Sequence, residues 1–176
     1  FCALLAEWQG ARRVMRVKEL VYRLFGYENF LAVRLVNTLG VLVFVRSGFE
    51  ITEELFHNDR AKVNFLLLAA GCIPLFVYTN VIYGEVLEIA AVSFGLWMFL
   101  RWLRGEKLRE LNLMILALVF AVYMKNNALI AAVAIILTAL IKAVAEHRKK
   151  LAVCMIPFLA VLLLAQPAMT KLYEHR

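Results

Sequence analysis

Histidine, cysteine and proline each occur only three times in the 176 residues, and none is spaced as a site. Cys2, Cys72 and Cys154 stand far apart with no metal or redox spacing, so all three read as packing residues. His57 is a lone histidine in a charged stretch and reads as solvated. The chain has no Gly-rich phosphate loop, no paired metal-ligand motif and no nucleophile elbow. Soluble catalytic classes built on those motifs are therefore excluded. No basic start, short apolar run and small-residue cleavage site opens the chain, and its first residue is Phe. It reads as a piece of a longer membrane protein.

What the chain has in surplus is apolar sequence. Hydrophobic residues make up 64% and the mean hydropathy is +0.77, well above the roughly half expected of a soluble domain. Residues 63–84 run 22 positions without a charge, and 151–170 run 20. Either is long enough to cross a hydrocarbon core of roughly 30 Å as a helix. The expected fold is all-α, a polytopic membrane bundle of about six transmembrane helices, with an amphipathic interfacial helix before it.

Residues 1–26 read as the end of a preceding segment plus that interfacial helix. Residues 27–170 form the bundle, and 171–176 begin a following external segment. Within 11–25, Arg12, Arg13, Arg16, Lys18, Glu19 and Arg23 alternate with Val14, Val17, Leu20, Val21, Leu24 and Phe25 at spacings of three and four. A basic amphipathic helix suits the membrane interface; the plainer alternative is a solvated linker. The spans follow at 29–45, 63–78, 85–103, 111–124, 126–141 and 151–165. Arg34 and Asn37 lie inside the first span and need partners or an interface to snorkel to. Residues 46–62 read as a polar connector with a short helix at 51–57. Pro74 should kink the second span. The fourth and fifth spans hold 14 and 16 uncharged residues, giving only about 21 and about 24 Å. Lys125 between them is thus drawn toward the membrane.

The net charge of +7 follows the same plan. The stretches 46–62, 101–109 and 142–150 hold 11 Lys or Arg, which places them inside. Residues 80–84 and 125–127 then share the outer side with only Lys125 between them. Charge gathered at helix ends speaks for lipid headgroups, not nucleic acid. The basic helix at 11–25 falls outside by alternation, against the positive-inside tendency; an anionic lipid there would ease the conflict.

Two polar islands on that outer side are the candidate site. One is the loop from Tyr78 through Asn80 and Tyr83 to Glu85, with Glu88 a turn further on; the other is Lys125-Asn126-Asn127. Glu85 opens a helix, where the dipole favours a carboxylate and Thr79 or Asn80 can cap. That does not account for Glu88, which shares its face about 4–5 Å deeper. A carboxylate at that depth needs a partner or a cavity, and Lys125 is the natural one.

The run 24–37, LFGYENFLAVRLVN, resembles the start of the second span in bacterial polyprenyl-phosphate-dependent glycosyltransferases of the GT-C superfamily. These include protein O-mannosyltransferase-like and aminoarabinose-transferase-like enzymes. The run 74–85, PLFVYTNVIYGE, is similar to the loop before a later span, where that family carries an acid. MKNNAL at 124–129 resembles a junction between two short spans. The resemblance implies transfer of a sugar from a polyprenyl-phosphate carrier to an acceptor at the outer face of the plasma (cytoplasmic) membrane. It implies a divalent cation, Mg or Mn, with Glu85 as its candidate ligand. It implies carrier or substrate contacts at Glu85 and Lys125, and it places Arg12, Arg13 and Arg16 where the family has interfacial helices suited to a lipid phosphate; Glu88, Asn126, Tyr83 and Asn80 join the candidates from the two polar islands themselves. The family's catalytic acids lie in the first external loop; the corresponding residues 1–9 hold only Glu7, so the catalytic base is expected outside this chain. The alternatives are a lipid or polysaccharide transporter lined by Glu85, Glu88 and Lys125, and a structural membrane subunit.

Overall fold

The computed structural model describes residues 15, 19–26, 30–80, 84–105, 107–125 and 127–145, and these are helical apart from short connections. The expected span at 151–165, the segment 171–176 and most of 11–18 lie outside the described residues. Residues 19–25 are helical, stapled on one side by an Arg23–Glu19 pair at 2.6 Å. After them come α1 (Phe30–Phe56), α2 (Asp59–Gly71), α3 (Ile73–Thr79), α4 (Glu85–Gly105), α5 (Leu108–Met124) and α6 (Ala128–Ala145). Two compact units divide the chain, Phe1–Ala128 and Leu129–Arg176.

The connector expected at 46–62 is instead mostly helix. α1 runs unbroken for 27 residues, about 40 Å. Several of its polar residues find partners within the helix, so charge there does not force the helix to end. Arg46 and Glu50 pair one turn apart at 2.5 Å, and Thr52 donates to the Gly48 carbonyl at 2.8 Å. The chain turns only at His57, whose φ is 49° and whose N–H returns to the Glu53 carbonyl. Asn58 then caps α2 by accepting from the Arg60 N–H at 3.0 Å.

α2 and α3 are bent by 55° at Cys72. The break falls two residues before Pro74, which occupies the first turn of α3, where no N–H is needed. Among the described residues three helices are long and apolar enough to cross a membrane: α1, α4 and α6. They become four if the bent pair is one span. α5, at 17 residues, is short for a span, so the described residues do not carry the expected count of six.

α4 packs against α5 and α1, α1 against α2 and α3, and α3 against α4. Lipid is as apolar as leucine, so close packing rather than burial from water has to hold such helices together. Small residues provide it. Gly40 of α1 meets Val86 and Leu87, Gly48 meets the Phe65 ring, and Gly95 of α4 meets Leu118 of α5. The centre of α5 is sealed: Met114, Leu118 and Met124 are fully buried. On the opposite face of α1, Leu31, Leu35, Leu39 and Leu42 are exposed along one stripe, as a lipid-facing surface requires. In α6, Ala132, Ile136, Ala139 and Ala143 are buried at spacings of one turn.

Candidate functional site

α4 begins in the turn at Gly84, which is buried and accepts the Glu88 N–H at 2.8 Å. Its first turn presents Glu85 and Glu88. The expected cap does not form: Thr79 and Asn80 close α3 instead. The Thr79 hydroxyl donates to the Phe76 carbonyl at 2.6 Å, and the Asn80 amide reaches the same carbonyl at 3.4 Å. Carbonyls in the last turn of a short helix lack helical partners, and these two side chains lie nearer to them than to α4.

Lys125 ends α5 in an extended conformation, its N–H bonded to Ala121. Its ammonium donates to Glu85 Oε1, forming an ion pair across 40 residues. The side chains are 35% and 22% exposed, so the pair is half-buried and Lys125 remains reachable. Glu85 Oε2 is buried and makes no hydrogen bond. Glu88 is half-buried and lies in the fields of both Lys125 and Glu85, but the ammonium's hydrogen bond goes to Glu85. The structure therefore joins the two polar islands through Glu85 and Lys125, with Glu88 beside them. Asn80 is exposed and belongs to the end of α3. Asn126, Tyr83, Arg12, Arg13 and Arg16 lie outside the described residues.

Asn37 is the residue the sequence marked only as polar within a span. It is 4% exposed and donates to the Thr79 carbonyl at 3.2 Å, at the doorstep of the loop leading to Glu85. A lone Asn in an apolar run was the available signal; its target was not readable. Arg34, three residues earlier, is exposed.

The other end of the bundle gathers the polar groups of 53–62 and 101–110. Arg104 pairs with Glu54 at 2.5 Å and lies 3.3 Å from the His57 ring. Lys62 pairs with Glu53 and Asp59, and Arg101 meets the buried Glu110 at 3.3 Å. Of the three stretches expected to share one side of the membrane, 46–62 and 101–109 do meet, and the Glu85–Lys125 pair stands at the opposite ends of α4 and α5. His57 is exposed, as expected, but sits against Arg104 rather than in open solvent.

Among the described residues no three His, Cys, Asp or Glu side chains gather as metal ligands. Glu85 faces an ammonium, which is the wrong neighbour for a divalent cation. The described residues do not by themselves assemble a site for Mg or Mn.

The family model for dolichyl-phosphate-mannose-protein mannosyltransferase matches residues 17–173. The chain belongs to this family, whose members are GT-C glycosyltransferases. With its long apolar helices, it is an integral membrane protein of that class. No curated protein and no solved structure matches it.

Proposed function

We propose that the protein transfers a sugar from a polyprenyl-phosphate carrier to an acceptor at the outer face of the plasma membrane, as a multi-pass enzyme. The family match over 17–173 carries this reading. The Glu85–Lys125 pair supports it, because it puts a reachable ammonium at the end of α4 and α5 away from the charges of 53–62 and 101–110.

In the transfer, a nucleophilic oxygen or nitrogen of the acceptor bonds to the anomeric carbon as the bond to the carrier phosphate oxygen breaks. The acceptor's proton goes to a base outside the described residues. The departing polyprenyl phosphate gains negative charge, and Lys125 swings from Glu85 to meet it. Such an ammonium stabilises charge developing in the transition state. Glu85 holds Lys125 in place between turnovers.

The test is sugar transfer by the full-length protein in membranes, from a polyprenyl-phosphate-linked donor. Lys125→Ala should lower kcat by about 10²-fold, the scale of one lost charge-stabilising donor. Glu85→Gln should have a smaller effect. Turnover at the wild-type rate in both variants would remove the pair from the site while leaving the family assignment standing.

A further inference from the structure

One turn of α1 touches both ends of the loop that delivers Glu85. Asn37 donates to the Thr79 carbonyl, the last residue of α3, at 3.2 Å. Gly40 lies so close to the second and third residues of α4 that an added Cβ would stand 3.1 Å from Val86 Cγ1 and 3.2 Å from Leu87 Cδ2. The two positions share a face of α1 and differ by about 4.5 Å along its axis. Asn37 is buried and makes its bond at the C-terminus of α3, where the last carbonyls have no helical partner. Gly40 is buried, and the absence of a side chain there lets α1 and the first turn of α4 approach closely. α1 thus holds Thr79 on one side and Val86 on the other.

We infer that Asn37, with Gly40, is a positioning residue: together they hold Thr79 at the end of α3 and Val86 at the start of α4 against α1, and so set where Glu85 stands relative to Lys125. Glu85 lies directly between the buried Gly84 and the gripped Val86. Its reach to Lys125 on α5 depends on that backbone being held. The Asn37 amide bonds to the backbone of Thr79, six residues before Glu85, and its effect on the pair is exerted through that backbone. As a statement about sugar transfer this rests on the transferase reading; the grip itself does not.

The test uses the full-length protein in phosphatidylcholine nanodiscs, comparing wild type with Asn37→Ala and Gly40→Ala by hydrogen–deuterium exchange. Losing one buried hydrogen bond should speed exchange in 84–88 about tenfold in Asn37→Ala. Exchange in 46–56 and 108–124 should be unchanged. Unaltered exchange in 84–88 overturns the inference, and so does uniform acceleration along the chain, which would make Asn37 a general stabiliser. Should Asn37→Ala not fold, Gly40→Ala decides, since its methyl requires Val86 and Leu87 to shift by only a few tenths of an ångström. It should speed the same segment by a smaller factor, and no change there overturns the grip.

A second readout is the double-mutant cycle of Asn37→Ala with Lys125→Ala on transfer rate. If Asn37 acts through the pair, it has no further effect once Lys125 is gone; independent, multiplying losses overturn the positioning role. A wild type that transfers no sugar fails the transferase reading alone, and the exchange data still judge the grip.

Discussion

Replacing Lys125 by methionine keeps the length of the side chain and removes its charge. Glu85 would then stand half-buried with both oxygens unpartnered, since Oε2 has no hydrogen bond even in the intact protein. An exposed pair is worth about 0–1 kcal/mol, and breaking a buried one from a single side costs about 3–5 kcal/mol. With exposures of 35% and 22%, this pair falls between, at about 2 kcal/mol. Glu88 adds to that. It lies in the field of both partners, and two carboxylates about 6 Å apart at an effective dielectric constant of about 20 repel by up to about 3 kcal/mol. Side chains turning outward relieve part of that repulsion. Lys125→Met should therefore cost about 2–4 kcal/mol. Glu85→Gln should cost less, about 1–2 kcal/mol, because Lys125 then still has Glu88 within reach. The double substitution Glu85→Gln with Lys125→Met should be more stable than Lys125→Met alone. Thermal unfolding of the detergent-solubilised full-length protein, followed by tryptophan fluorescence, reads all three. Each kcal/mol corresponds to about 2–4 °C for a chain of this size. A Lys125→Met protein melting with wild type, or a double variant melting below both singles, would refute the reasoning.

Two further outcomes test the packing. Gly48→Ala would place a methyl 2.6 and 2.8 Å from Phe65 Cε2 and Cε1, and overpacking of this kind costs about 1–3 kcal/mol; unfolding temperature should fall, whereas an unchanged value would mean that α1 and α2 are less closely packed. Asn58→Ala removes the cap of α2 and should cost about 1 kcal/mol, with Asn58→Asp restoring it in the same melting assay.

The helical class and the ends of the apolar runs were legible because lipid imposes a simple rule: long uncharged stretches and basic ends. The expected starts at 85, 111 and 126 fall within three residues of α4, α5 and α6. The stretch 46–62 was misread as a connector because charge was taken as a sign of loop. Arg46 and Glu50 satisfy each other on the helix surface, and Glu53 and Glu54 find Lys62 and Arg104 on neighbouring helices. Pairing of that kind is a property of neighbours, which a single sequence does not display. The cap assigned to Thr79 and Asn80 failed for a related reason: the Phe76 carbonyl was a nearer partner than the first turn of α4.

The sequence alone determined that the chain is a bundle of apolar helices and that two polar islands belong to one end of it. Residue spacing and charge are one-dimensional properties, and the membrane reads them almost directly. Tertiary structure decided which acid takes Lys125. Glu85 and Glu88 share a helix face and either could be proposed from spacing. The choice of Glu85 depends on where α5 ends beside α4 and on how the loop before α4 is held. The role of Asn37 was decided there too, because its partner, the Thr79 carbonyl, is 42 residues away along the chain and is a backbone group that no side-chain pattern announces.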